Sequence, residues 1–306
     1  MTLLAALVAA SSARCAFATA IFQRNAAALV REPRRIPSRI TSAPLPDARI
    51  AVLWVGHATV LLQLDDKFVL TDPVFTEFAG PLSRRLVEPG IAVEHLPDVS
   101  LVAISHVHLD HLSLGSLELI EPVTRALVVP DGGLVYVPNF RFETHGVRLG
   151  QSFERDGLRA TAVRVDHPSY RYGIDSAWAR EAACGWVFEY HGLTVFFGGD
   201  TAYDRAAFSS IQRRFPSIDL ALLPIGPVEP RSVTGHTHID GREAIEAMLD
   251  LRARVMVPIH YDTFAHGMDP PGYAVRVLRE AIRARDVSED RVRVLPIGGR
   301  AVITRR

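Results

Sequence analysis

The residues with the clearest capacity for chemistry fall in one stretch, Ser105-His106-Val107-His108-Leu109-Asp110-His111, with the pattern H-x-H-x-D-H. Imidazole nitrogen and carboxylate oxygen, without a thiolate, suit zinc, with iron or manganese as alternatives. The apolar run 101–104 leads directly into the stretch and reads as a buried strand. Residues two apart at a strand end point the same way, so His106 and His108 reach one metal ion. Asp110 and His111 come round the following turn towards a second. Four ligands do not complete two sites, and three further donors are placed alike. His167 follows a run ending Val165-Asp166, Asp200 follows Phe196-Phe197-Gly198-Gly199, and His260 follows Val257-Pro258-Ile259. The two glycines before Asp200 permit close backbone approach.

The elements that must position these donors are mostly short β-rich runs. Residues 50–55 and 59–64 read as strands joined near Gly56, and 68–70 follows a turn at Asp65-Asp66. Segments 101–104, 126–129, 159–165, 220–224, 255–259, 292–296 and 301–304 read as further strands, and 185–190 with 193–197 as a hairpin turning at His191-Gly192. Helical spacing covers 113–120, 205–215, 241–251 and 273–285. Two halves, each of strands followed by helices, predict an α/β sandwich with helices covering two packed sheets.

Composition narrows the partners. The 34 basic and 34 acidic side chains of the 306 residues cancel, which argues against nucleic acid, a partner that needs a clustered basic face. Cys15 and Cys184 read as two unpaired thiols, neither a disulfide framework nor a zinc ribbon. Residues 1–13 are small and apolar, Arg14 interrupts, and 15–22 are apolar again. The run lacks the basic start of a signal peptide, and Arg14 breaks the stretch of about 20 residues that a membrane-spanning helix needs. It reads first as a helix lying on protein or on a membrane surface, with a weak signal or an over-long translation start as alternatives. A cytoplasmic or peripheral membrane location is therefore expected ahead of secretion. Pro33, Pro37, Pro44 and Pro46 make 31–47 an extended linker. The division expected is 1–46 for the apolar segment and linker, and 47–306 for the main domain.

The donor order, H-x-H-x-D-H followed by His, Asp and His, resembles that of the metallo-β-lactamase fold superfamily. Within it, Trp54-Val55-Gly56-His57-Ala58-Thr59, Thr71-Asp72-Pro73-Val74-Phe75, Gly199-Asp200-Thr201-Ala202-Tyr203 and Pro224-Ile225-Gly226 are similar to the N-acylphosphatidylethanolamine-hydrolysing phospholipase D group, as are Glu229-Pro230-Arg231 and Ile259-His260. The resemblance implies a four-layer αββα sandwich and two Zn2+. It puts His106, His108 and His167 on the first metal, Asp110, His111 and His260 on the second, and Asp200 between both. His238 matches a family histidine near the substrate phosphate. Asp72 matches a carboxylate that orients a ligand histidine, against the plainer reading of a turn residue before Pro73. His57 matches a family position open to a catalytic or a structural role. Tyr261 and Phe264, beside His260, line the pocket or simply pack. Leu109 and Pro168 depart from the group, which has aromatic residues at both positions, and this bears on the substrate.

The activity implied is that of a zinc-dependent phosphoric diester hydrolase of phospholipase D type, acting on N-acylphosphatidylethanolamine or a related phospholipid. Two metals about 3.5–4 Å apart would share one water as a bridging hydroxide. Asp110 would ligate and orient the nucleophile, and His238 would stabilise an anionic oxygen or protonate the leaving group. The alternatives are a lactonase or other hydrolase of a small soluble ester, a nuclease, and a non-catalytic metal-binding scaffold. The apolar N-terminus would aid contact with a membrane. His95, His145, His191 and His266 read as solvated loop residues, and His236 has no assigned partner.

Overall fold

The computed structural model describes residues 3–37, 39–81, 83–175 and 181–305. Helix α1 (Leu3–Leu29) comes first, with side chains described from residue 16 onward, so Cys15 lies outside that set. Strands β1 (Ala48–Gly56) and β2 (Thr59–Leu64) then show why the chain makes a sandwich. Ile50, Val52, Trp54, Val60, Leu62 and Leu64 enter one core, while Leu53, Val55 and Leu61 enter another. A strand apolar on both faces is stable only when both are covered.

Strand β3 (Lys67–Thr71) is next, then a small separate hairpin of β4 (Phe78–Ala79) and β5 (Ser83–Arg84). After it come β6 (Leu101–Ala103), helix α2 (Leu114–Ile120), β7 (Ala126–Pro130) and β8 (Glu143–Val147). The final strand, Arg300–Arg305, returns to pair with β1 and completes a seven-stranded sheet. Strands β3, β6, β7 and β8 are parallel. The second sheet has six strands, β9 (Ser152–Arg155), β10 (Leu158–Val163), β11 (Gly185–Tyr190), β12 (Leu193–Phe197), β13 (Leu220–Pro224) and β14 (Val255–Ile259), with β12 to β14 parallel. Helices α3 (Arg205–Arg214), α5 (Gly241–Asp250) and α6 (Tyr273–Ala284) bury Phe208, Ile245, Met248, Leu278 and Ile282 against it, and the short α4 (Arg231–Thr234) precedes α5. Leu117 and Ile120 of α2 close the outer face of the first sheet. The result is the expected αββα arrangement.

Three points differ from the expectation. Residues 292–296 form no strand: a 3-10 turn, Glu289–Arg291, leads to a single bridge between Val292 and Met256. The Leu295 carbonyl accepts instead from the Tyr261 hydroxyl, and Pro296 has no N–H for a ladder. Strands β8 and β9 have no apolar signature because each is the polar edge of its sheet. The proline-rich stretch is extended yet tied down, with bridges from Arg34 to Val87 and from Ile40 to Ile91. Among the described residues no helix is long and apolar enough to cross a membrane.

Candidate metal centre

Parallel strands deliver the residues at their C-terminal ends to one edge of a sheet. Asp72 comes directly after β3, Asp200 after β12, Gly226 after β13 and His260 after β14, and His106 lies just past β6. The sandwich brings these strand ends together, and the donors separate into two groups.

In the first, His106 Nε2 lies 2.8 Å from His108 Nδ1, which is 3.3 Å from His167 Nε2. In the second, Asp110, His111 and His260 converge, joined by His57. His111 Nε2 is 3.5 Å from Asp110 Oδ2 and 3.4 Å from Asp200 Oδ2. Asp200 stands between the groups, with Oδ1 3.1 Å from His260 Nε2 and Oδ2 4.0 Å from His167 Nε2. All seven predicted donors are thus brought together.

The donors fit metal ions. His111 Nε2, His260 Nε2 and Asp200 Oδ1 are buried without a hydrogen-bond partner, a state that costs free energy unless something else satisfies them. The far sides of the histidines are already anchored. His111 Nδ1 donates to Asp72 Oδ2 at 2.6 Å, His167 Nδ1 to the Thr237 carbonyl at 2.8 Å, and His260 Nδ1 to the Gly226 carbonyl at 2.9 Å. Such contacts fix the ring and leave the other nitrogen for a metal. Asp72 thus orients the buried His111 ring besides standing in the turn before Pro73. Its Oδ1 also accepts from Ser105 N, and its Oδ2 from Ser105 Oγ, both at 2.6 Å.

The electrostatics of the pocket point to a bound cation. Burial pushes His106 well below its ordinary value and His167 down to about 3, keeping both rings neutral. Burial would raise Asp110 and Asp200, but the histidines around them, His111 foremost at Asp110 and His260 at Asp200, hold both well below the usual carboxylate range. Burial likewise opposes a proton on His111, yet Asp200, Asp110 and Asp72 raise it well above its ordinary value. The pocket thus attracts positive charge.

Backbone conformation is also unusual here. His57, Asp72 and His260 have φ of 54°, 33° and 62°, a region non-glycine residues rarely adopt. The His57 carbonyl accepts from His260 N and from Trp54 Nε1, while Thr263 Oγ1 accepts from His57 N, which holds the two loops together. His57 Nε2 lies 2.9 Å from Asp110 Oδ2 and donates to it.

His238 sits beside the centre, Nε2 3.1 Å from Asp200 Oδ2 and its side chain one-fifth exposed. Arg231 holds it by donating to the His238 carbonyl while pairing with Glu243, which gives the Glu-Pro-Arg stretch a structural purpose. Tyr261 stacks on Trp54 with ring centres 4.3 Å apart and is buried, so packing dominates its role. Phe264 meets His57 edge-on.

His266 requires a correction. It is not a solvated loop residue: its side chain is three-quarters buried, with Nδ1 3.3 Å from Asp110 Oδ2 and Nε2 3.0 Å from Ser83 Oγ. A signal is present in the sequence, since it lies on the same loop as His260. Arg171 carries no such signal. It is buried and donates to the Val107 and Leu112 carbonyls at 3.0 and 2.9 Å, clasping the ligand turn. Tyr170, 4.7 Å from His108 between ring centres, supplies an aromatic wall two residues beyond Pro168.

A family model described as "Beta-lactamase superfamily domain" matches residues 67–261. An uncharacterised protein of Mycobacterium tuberculosis is 32% identical over 254 residues, 79% of this chain and 66% of that protein. The N-acyl-phosphatidylethanolamine-hydrolyzing phospholipase D 1 of Caenorhabditis elegans is 32% identical over 235 residues, 70% of this chain and 64% of that one. The chain thus spans just under two thirds of the length of these relatives. Among solved structures, a metallo hydrolase from the archaeon Ignicoccus hospitalis superposes with a TM-score of 0.61 at 22% identity, covering 82% of this chain and 97% of that one. The chain belongs to the metallo-β-lactamase superfamily, whose fold it shares.

Proposed function

We propose that the protein is a two-metal phosphodiesterase acting on N-acylphosphatidylethanolamine or a related phospholipid. The observation that carries this reading is the complete donor set in two groups sharing Asp200, with His238 beside Asp200 on the partly open side. His106, His108 and His167 would hold one ion, Asp110, His111 and His260 the other, and Asp200 both. When bound, such a pair activates water for attack and offsets charge on substrate oxygens. Asp110 is held by an N–H hydrogen bond from His57 and faces His266 Nδ1 at 3.3 Å, so its carboxylate keeps one orientation as the nucleophile is aligned. His238 Nδ1 is tied to Thr237 Oγ1 at 2.8 Å, leaving Nε2 as the proton source for the departing alkoxide.

A lipid substrate is supported by the segment after His167. Tyr170, Tyr172 and Ile174 are exposed, the last at 84%, and Tyr172 meets Tyr136 beside exposed Leu134 and Val135. Apolar side chains grouped in this way suit acyl chains better than a small soluble ester. The likeness to the nematode phospholipase supports the same substrate class.

The test is hydrolysis of micellar N-acylphosphatidylethanolamine beside bis-p-nitrophenyl phosphate and a lactone panel, with metal content measured on the same protein. Release of the N-acylethanolamine at about two zinc ions per chain is expected. Turnover confined to lactones would overturn the phosphodiesterase reading, and a folded protein that binds no metal would leave a non-catalytic scaffold.

A further inference from the structure

Helix α1 reaches the loop after His260. Asn25, buried on α1, donates through Nδ2 to the Ala265 carbonyl at 3.1 Å, and Arg24 donates to the Asp269 carbonyl at 2.6 Å. The Asp269 carboxylate accepts in turn from Val228 N and Glu229 N at 2.6 and 2.8 Å. Between these ends Gly267 is pressed against Pro227: a Cβ there would lie 2.6 Å from Pro227 Cβ. The loop is held from both sides, and His266 lies within it.

His266 Nδ1 lies 3.3 Å from Asp110 Oδ2, while its ring stacks on Phe264 with an interplanar angle of 8°. The tautomer with its proton on Nδ1 suits the facing carboxylate, which only accepts, and leaves Nε2 to accept from the Ser83 hydroxyl. Asp110 Oδ2 therefore accepts an N–H hydrogen bond from His57 on one loop and faces His266 Nδ1 at 3.3 Å from the other, an electrostatic contact. The hydrogen bond on one side and the imidazole edge of His266 on the other hold Oδ2 between the two loops.

We infer that His266 is a positioning residue that fixes Asp110 for its metal, and that α1 holds His266 in place through Asn25 and Arg24. The N-terminal helix is thereby part of the working centre. Arg24 lines the same cavity as His57, His260 and His266, so the helix also forms a wall of the site. The inference rests on the two-metal reading of the centre.

The experiment titrates Zn2+ into the full metal-free chain against a chromophoric chelator and resolves the first and second equivalents. Loss of a contact that orients a ligand weakens binding by about 10–100-fold. His266→Ala is expected to weaken the second equivalent by that factor and leave the first unchanged. His266→Asn, which keeps an N–H donor where Nδ1 stood, restores most of the affinity, whereas His266→Gln, with its amide where Nε2 stood, does not. Asn25→Ala weakens the same equivalent and adds nothing in a His266→Ala background, because both changes act through one contact. Thermal melting of the metal-free proteins confirms that each is folded.

Undiminished second-equivalent affinity in His266→Ala overturns the inference, and so does equal rescue by Asn and Gln. Fully additive losses in the double variant overturn the role of α1. A wild-type chain that takes up no second ion would sink the two-metal reading itself, and this inference with it.

Discussion

Asp72 Oδ2 lies 2.6 Å from both His111 Nδ1 and Ser105 Oγ, and Ser105 Oγ lies 2.9 Å from His106 Nδ1. One buried carboxylate thus orients a histidine in each donor group, His111 directly and His106 through a hydroxyl. Asp72→Ala is expected to weaken both ions by about 10–100-fold. Zinc retained after dialysis, compared with wild type, checks this. Retention of both ions at wild-type affinity would reduce Asp72 to a turn residue after all.

Asp200 has a different relationship to the two groups, because it faces both. Asp200→Ala removes the only carboxylate, among the described residues, within reach of His260, His238, His111 and His167 together. Less than one zinc ion per chain is expected by elemental analysis, with hydrolysis lost and the far-ultraviolet circular dichroism kept. Two ions and near-normal turnover would show the shared-ligand assignment to be wrong.

The centre is more legible in the sequence than its supports. His106, Asp200 and His260 each lie at the end of an apolar run that must be buried as a strand, so local pattern alone puts them on one edge of the fold. Support for His266 comes from Asn25, which meets Ala265 across 240 residues of sequence, and no local pattern encodes that contact. Strands β8 and β9 escape a reading by pattern because they are edges, where one side needs no apolar residues. The apolar character of Val292, Val294 and Leu295 misleads in the other direction. It serves packing against the core, while only Val292 makes a bridge.

The buried histidines make the metal-free protein sensitive to acid. Burial lowers His57, His106, His108, His167 and His266, so below about 6.5 the unfolded chain binds protons there that the folded chain does not. Stability conferred by these groups is present above that value and is lost as pH falls. His111, raised by its three carboxylates against the effect of burial, acts oppositely: its contribution is full below about 6.5 and is lost as pH rises through its folded value. Five groups outweigh one, so the melting temperature of the metal-free protein should fall steeply from pH 6.5 to 5 and only slightly above 7. A flat profile between pH 5 and 7 would mean that these rings are not held neutral.

Gly199 tests how tightly the Asp200 turn is built against Ser105. Its φ is 57°, and a Cβ there would lie 2.4 Å from Ser105 Cβ and 2.6 Å from Ser105 Oγ. The left-handed backbone alone costs an alanine about 1–2 kcal/mol, and the collision adds about 1–3 kcal/mol as Ser105 is pushed aside. Gly192→Ala is the control, with φ of 77° and nothing within 4 Å of its Cβ, so it carries only the backbone cost. Urea denaturation of the metal-free proteins should therefore rank Gly199→Ala below Gly192→Ala by about 1–3 kcal/mol. Displacing Ser105 also breaks its bridge between Asp72 and His106, so Gly199→Ala should lose affinity at the first zinc site, where Gly192→Ala does not. Equal stabilities and equal zinc affinities for the two variants would show that the turn has room to spare and that Ser105 does not transmit Asp72's hold to His106.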